Sequence, residues 1–279
     1  MKPLGLRSIL IATDLSPETN LSFESARQLA DLTGASMHAV HSTEDIKDAD
    51  ALEEHMNALG NGNRVDARVL RGPPVAIITQ EASRTEADVI VIGRHRGKSR
   101  GLGGTADRVV RTARVPCLIL PERLVLPLRS VLVPVDITEA ARGTLAVALT
   151  WASALRRPRG ADTPTRLDVL HVRTDKENGD VNELEMRLHE QVTEIQNRLA
   201  GIAGVLIEQA VERSADVAST VLQRAAEKGA DLIVLGTRAE RMDTDPLGSV
   251  SSEIVKRATK PVLLVPPEVW RPDAAEIPA

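Results

Sequence analysis

Two aspartates and two glycine-bearing loops are the residues of this chain whose types and spacing suit chemistry. Asp14 and Asp136 each end an apolar run, in Arg7-Ser-Ile-Leu-Ile-Ala-Thr-Asp14 and Arg129-Ser-Val-Leu-Val-Pro-Val-Asp136. One loop reads Gly93-Arg-His-Arg-Gly97-Lys-Ser-Arg-Gly101-Leu-Gly103-Gly104-Thr105. The other reads Gly236-Thr-Arg-Ala-Glu-Arg-Met-Asp-Thr-Asp-Pro-Leu-Gly248-Ser249. Each runs into helical sequence, ADRVVRTA and VSSEIVKRA. A glycine-rich loop feeding a helix start offers unpaired N–H groups and the positive end of the helix dipole to an anion. Glycine lets a phosphate approach the backbone with no Cβ in the way. A carboxylate nearby accepts hydrogen bonds from a ribose or an adenine amino group, and the combination describes a nucleotide cradle. The same residues have plain structural roles too. Glycines punctuate turns, Thr105 or Ser249 caps a helix, and the aspartates order the loops they begin.

Other reactive residue types lead less far. His41 and His171 sit at matching places, but no partner Cys, Asp or His stands at ligand spacing in either half, so no metal site is expected. Cys117 lies inside the apolar run CLIL and reads as an inert core thiol. Neither a Gly-x-Ser-x-Gly elbow nor a P-loop is present, and no nucleophile–base pair is legible.

The elements that must position these residues recur in order. Besides the aspartate-ended runs, Ala87-Asp-Val-Ile-Val-Ile-Gly93 returns as Ala230-Asp-Leu-Ile-Val-Leu-Gly236, and Pro116-Cys-Leu-Ile-Leu-Pro121 as Pro261-Val-Leu-Leu-Val-Pro266. This is a duplication, with the boundary near Leu124–Leu128. Continuous apolar runs bounded by punctuation are buried parallel strands. The first half is expected to place strands near 7–13, 36–42, 65–70, 87–92 and 117–120. The second half follows suit, with its second and third strands near 166–172 and 204–211. Ser16-Pro17-Glu18 reads as a helix start. Leu184, Leu188, Val192, Ile195 and Leu199 share one helical face, with Glu185, Arg187, Glu190 and Arg198 mostly outward. Strands alternating with helices give two mostly parallel five-stranded sheets flanked by helices. In such sheets ligands sit beyond the carboxyl ends of the strands, where strand order reverses. Asp14 and Gly93 meet there in one half, Asp136 and Gly236 in the other.

Composition narrows the field. One cysteine in 279 residues excludes a disulfide framework. The aromatic residues are Phe23, Trp151 and Trp270, too few for a single-stranded nucleic-acid platform, and a net charge of −4 gives no general pull toward nucleic acid or anionic membrane. No apolar run reaches membrane-span length, and the N-terminus does not read as a signal peptide, so a cytoplasmic protein is expected.

This combination resembles the universal stress protein family in its tandem form, over roughly 5–267. Nucleotide-binding members of that family carry an Asp ending strand 1 and a late G-x2-G-x9-G-[S/T] motif, followed by a helix and a Pro-flanked last strand. Gly248-Ser-Val-Ser-Ser-Glu-Ile-Val-Lys-Arg-Ala-Thr-Lys-Pro-Val-Leu-Leu-Val265 is similar to the closing segment. The chain departs from the pattern where Ala239 takes the place of the middle glycine and where Glu240, Asp243 and Asp245 make the second loop acidic. In the first half Gly97 falls one residue late, the closing pair is either Gly103-Gly104 or Gly104-Thr105, and Arg94, His95, Arg96, Lys98 and Arg100 make the loop basic.

The resemblance implies two Rossmann-like domains of the adenine nucleotide alpha hydrolase type, 1–124 and 125–267, with a flexible tail at 268–279. It implies a stress-response regulatory or sensing protein that binds ATP, with Mg as companion cation, in at least one domain. ATP hydrolysis is at most slow and incidental. The alternative is a nucleotide-free, structural or partner-binding member with degenerate loops. Carried over residue by residue, the first site uses Thr13, Asp14, Gly93, His95, Gly97, Gly103, Gly104 and Thr105, and the second uses Pro134, Asp136, Val172, Gly236, Gly248, Ser249 and Val250. Val172 fits the family's base-contacting slot after the strand-2 histidine, and Ser42 holds that slot in the first half. The last strands, PCLILP and PVLLVP, are expected to meet edge to edge and make a built-in pseudo-dimer, compatible with a further homodimer.

Overall fold

The computed structural model describes residues 5–16, 20–47, 49–62, 64–93, 102–156, 163–175, 180–199, 201–237 and 247–269. Its first half runs β1 (Ser8–Thr13), α1 (Asn20–Thr33), β2 (Ser36–Thr43), α2 (Ala49–Leu59), β3 (Val65–Arg71), α3 (Pro74–Arg84), β4 (Val89–Gly93), α4 (Gly104–Thr112) and β5 (Cys117–Leu120). The second half repeats the order with β6 (Ser130–Pro134), α5 (Ala141–Ala154), β7 (Thr165–Arg173), α6 (Val181–Arg198), β8 (Val205–Arg213), α7 (Val217–Glu227), β9 (Leu232–Gly236), α8 (Ser249–Arg257) and β10 (Val262–Val265). The expected strands are all present within a residue or two of their predicted bounds. The helix expected from Ser16 is described only from Asn20, because Pro17–Thr19 lie outside the described residues, as does the tail from Trp270 onward.

The ten strands of the described residues form one sheet, ordered β3-β2-β1-β4-β5-β10-β9-β6-β7-β8. Within each half the pairing is parallel; between halves, β5 and β10 pair antiparallel, with Leu118 opposite Leu263. The expected edge-to-edge meeting of the last strands is therefore the seam of the molecule. Lys260 Nζ, 2.8 Å from Glu122 Oε1, adds an ion pair across it. The antiparallel seam turns the carboxyl ends of the two sets of strands toward opposite edges of the sheet. The seam also gives each short, apolar last strand a partner and removes two edges that would otherwise invite aggregation.

Alternation along the strands divides the core into two layers. Ile9, Ile11, Val89 and Val91 face one side, packed with Phe23 of α1, Met56 of α2, Trp151 of α5 and Val192 of α6. Leu10, Ile90 and Ile92 face the other, packed with Ile78 of α3, Val109 of α4, Val221 of α7 and Ile254 of α8. On α6 the periodic stripe buries Leu184, Leu188, Val192 and Ile195 and leaves Glu185, Arg187, Glu190 and Arg198 exposed, as its spacing predicts.

The recurring Arg-Ser and Ala-Asp segments are one structural device used twice. Asp88 accepts hydrogen bonds from the Arg7 and Ser8 amides at 2.7 and 3.0 Å, and Asp231 accepts from those of Arg129 and Ser130 at 2.8 and 3.1 Å. Each carboxylate satisfies the otherwise orphaned N–H groups at the start of the half's first strand and locks it to the neighbouring fourth strand.

Candidate functional site

Strand order reverses between β1 and β4, and a cavity of about 300 Å³ opens at that point, beyond the carboxyl ends of the first-half strands. Its floor is apolar, from Ala12, Val40 and Ile92 on the strands and Ile78 and Val109 on the helices. One wall is the end of β1, with Thr13, Asp14 and Ser16; the opposite wall is the start of α4, with Gly103, Gly104 and Thr105. His41, Ser42 and Pro74 complete the lining. Six of the eight residues expected for the first site therefore converge on one cavity: Thr13, Asp14, Gly93, Gly103, Gly104 and Thr105. The other two, His95 and Gly97, lie outside the described residues with the rest of the basic run.

The β1 wall is a strained turn. Leu15 has φ 60°, left-handed for a β-carbon residue, a conformation that costs on the order of 1–3 kcal/mol unless its surroundings hold it. Two side chains do so: Thr13 Oγ1 accepts from the Leu15 amide at 2.9 Å, and Asp14 Oδ1 from the Ser16 amide at 3.0 Å. Asp14 thus orders the loop, as its structural role predicts, and as an exposed residue it also lines the cavity. His41 supports the same turn, its Nδ1 lying 3.0 Å from the Thr13 carbonyl. A carbonyl only accepts, so this ring nitrogen carries the hydrogen.

The α4 wall supplies donors. Gly103 is the N-cap at φ −56° and ψ 153°, a residue with no side chain to cap the helix. Thr105 lies inside the first turn rather than at the cap position expected for it. The same holds in the second half, where Gly248 is the N-cap and Ser249 the first helical residue. An uncapped helix start keeps its first-turn N–H groups available to an anion. A Cβ on Gly103 or Gly104 would meet no atom of the described residues within 4 Å. Those glycines therefore leave open space at the cavity wall.

In the second half Pro134 ends β6, Asp136 follows it exposed, Val172 lies on β7, Gly236 ends β9, and Gly248, Ser249 and Val250 open α8. The sheet brings these to one edge, but their surroundings differ from the first half. Val172 and Leu247 are buried in the apolar layer, Thr138 Oγ1 donates to Asp136 Oδ1 at 2.8 Å, and Ser251 Oγ donates to the Gly236 carbonyl at 3.1 Å. His171, like His41, puts Nδ1 beside a backbone carbonyl, that of Val135 at 2.9 Å. Among the described residues no three His, Cys, Asp or Glu side chains form a metal cluster. Cys117 is buried, and burial pushes its thiol up to about 12, far from a thiolate.

Sequence reasoning missed two arrangements. The apolar floor was implicit in strand alternation, but which strand ends leave a void depends on the helices above them. The second is a hydroxyl–imidazole–carboxylate line at the opposite edge of the sheet. Ser36 Oγ lies 3.2 Å from His38 Nε2, and His38 Nδ1 lies 3.2 Å from Asp66 Oδ2. Ser36 also directs both its hydroxyl, at 3.1 Å, and its amide, at 2.8 Å, to the Arg7 carbonyl. Its proton and its nearest oxyanion donor are thereby committed, and the line reads as a surface polar ladder rather than a catalytic triad.

The fold and site define a class: a duplicated, doubly wound α/β protein with a ligand crevice at the switch point. The universal stress protein family matches residues 42–121 and 127–266, and the chain belongs to that family. The first match begins at Ser42, downstream of β1 and Asp14. A universal stress protein from Archaeoglobus fulgidus DSM 4304 is similar over 95% of this chain and 97% of its own, at 22% identity and TM-score 0.68. A functionally unknown protein from Pseudomonas aeruginosa PAO1 is similar over 95% and 94%, at 18% identity and TM-score 0.68. A universal stress protein from A. fulgidus solved in complex with dAMP covers 40% of this chain and 96% of its own, at 24% identity and TM-score 0.36. No curated protein matches the chain.

Proposed function

We propose that this protein is a stress-response regulatory or sensing module that binds an adenine nucleotide, ATP, in the first-half crevice. The observation that carries the reading is the pairing across one cavity of an acceptor wall, at Asp14, with a donor wall, the glycine-started first turn of α4. Such a cavity suits a ligand with amino or hydroxyl donors at one end, a flat apolar middle and an anion at the other. The floor of Ala12, Val40, Ile78 and Ile92 accepts the middle. Asp14 supplies one hard oxygen, which suits Mg arriving on the phosphates rather than held in a protein cage. The chain acts as a cytoplasmic binding module rather than a turnover enzyme, with domains at 1–124 and 125–267.

Denaturing freshly purified protein and chromatographing the supernatant tests the proposal. With two Trp and no Tyr, even the intact chain reports bound adenine through its 260/280 absorbance ratio. The expected result is a stoichiometric adenine nucleotide, or a rise in melting temperature on adding ATP with Mg. Absence of both would overturn it in favour of a nucleotide-free, partner-binding scaffold.

A further inference from the structure

The sheet ends in β3 on one side and β8 on the other, and the chain treats the two edges differently. Along each edge strand, alternate residues bond the inner neighbour and turn their N–H and C=O groups outward. Gly72 and Ser214, one residue past the strands, donate to the Thr43 and Arg173 carbonyls of the inner neighbours. With the register unbroken, Val69 on β3 and Val205, Ile207, Gln209, Val211 and Arg213 on β8 therefore face outward. On β3 the outward amide of Val69 donates to Glu53 Oε1 of α2 at 2.9 Å. Val211 is its counterpart, standing opposite His171 as Val69 stands opposite His41. Yet among the described residues no side chain receives an outward N–H of β8. Its acidic side chains are already engaged, Glu208 with Lys228 and Glu212 with Arg224. A long edge of unpaired backbone groups with neutralised charges is a template for another strand, which proteins otherwise blunt.

We infer that β8 docks a second copy of this chain, the two β8 strands pairing antiparallel about a two-fold axis at Gln209. Self-complementarity selects this occupant. An axis perpendicular to the sheet keeps each helical layer on its own side and brings outward-turned residues opposite outward-turned ones. Centred on Gln209, all nine residues of the strand pair. Val205 meets Arg213, Leu206 meets Glu212, Ile207 meets Val211, Glu208 meets Ala210, and Gln209 meets itself, so no like charges stand opposite. Centring one residue earlier sets Glu208 against Glu208, and one later sets it against Glu212, both destabilising. Leu206, 52% exposed at this edge, is then covered by Glu212 and Ala210 of the second copy. The dimer extends the sheet from the end remote from β1 and β4, so it leaves the first-half cavity open and does not depend on nucleotide.

Sedimentation equilibrium of the full chain over a concentration series tests the inference, with hydrogen exchange of the 205–213 amides alongside. The expected result is a monomer–dimer equilibrium, with those amides exchanging more slowly as concentration rises. Gln209 is exposed, and its side chain makes one 3.5 Å contact, to His189 Nδ1, so substitution there leaves the fold intact, as melting curves verify. Gln209→Lys and Gln209→Glu each set like charges across the axis and weaken dimerisation about tenfold or more. An equal mixture of the two variants restores it, because opposite charges then meet. A chain that stays monomeric throughout overturns the inference. So does a dimer of unchanged strength in both variants, a mixture no better than its components, or protection of the 205–213 amides that is independent of concentration, which would place a segment of the same chain on this edge.

Discussion

The hydroxyl of Thr144, on α5, occupies the space where a side chain on Gly236 would begin: a Cβ at Gly236 would stand 2.6 Å from Thr144 Oγ1. The glycine that ends β9, which reads in the sequence as the opening of an anion loop, is thus required by the packing of a helix against the strand. Gly236→Ala therefore overpacks the core and lowers stability by about 1–3 kcal/mol. Thr144→Ala in the same chain restores most of the loss, because the Thr144 Cβ stands 3.8 Å from the new methyl, an ordinary contact. Urea midpoints of the two single variants and the double variant measure the coupling; additive losses would show that the clash is not what selects glycine.

The two N-cap glycines should respond oppositely to a methyl group. Gly248 has φ 75° and ψ 150°, a region open in practice to glycine alone, whereas Gly103 at φ −56° and ψ 153° sits where any residue does. Gly248→Ala is expected to lose about 1–2 kcal/mol. Gly103→Ala is expected to be neutral or to gain up to about 1 kcal/mol by restricting the unfolded chain. Thermal or urea unfolding of each variant gives the sign.

Asp168, wholly buried on β7, is held by Arg224 of α7 through two bonds, Nε to Oδ2 at 2.6 Å and Nη2 to Oδ1 at 2.7 Å; Arg224 also pairs with Glu212. The hydrogen bonds that Arg224 donates to Asp168 outweigh its desolvation and raise its pKa, so the guanidinium stays charged. Removing one partner leaves a buried carboxylate uncompensated, and Arg224→Met should cost about 3–5 kcal/mol. Adding Asp168→Leu should return much of it, since an apolar pair of similar volume needs no desolvation. A double variant no more stable than Arg224→Met contradicts this account.

Asp66 gives stability a component that acid removes. Burial acts to raise its pKa, but hydrogen bonds from Arg84 and His38 outweigh it and hold the carboxyl below its usual value. A depressed folded-state pKa means stability that is present above the unfolded value near 3.9 and is lost as pH falls through the folded one. Between about pH 5 and pH 2 the unaltered protein should therefore lose more stability than Asp66→Asn, which has no such proton to take up. Parallel acid-side slopes of the urea midpoint for the two proteins would refute the assignment.

The sequence by itself determined the duplication, the ten strands, the two core layers and the edge on which Asp14, Gly93, Gly103 and Gly104 meet. Each of these is written in local patterns: apolar runs of strand length, helical spacing such as Leu184–Leu188–Val192, and proline or glycine at the ends. Only the tertiary structure decided where the first-half cavity opens and which side chains line it. Its floor comes from Ala12, Val40 and Ile92 on strands and Ile78 and Val109 on helices, positions far apart along the chain, and a void depends on all of their side chains at once. For the same reason Asp168 with Arg224, Thr144 with Gly236, and Ser36 with His38 and Asp66 were invisible beforehand. A periodic pattern fixes which face of an element is buried. Which side chain on another element meets it depends on how helices far apart in sequence settle on the sheet, and no local spacing records that.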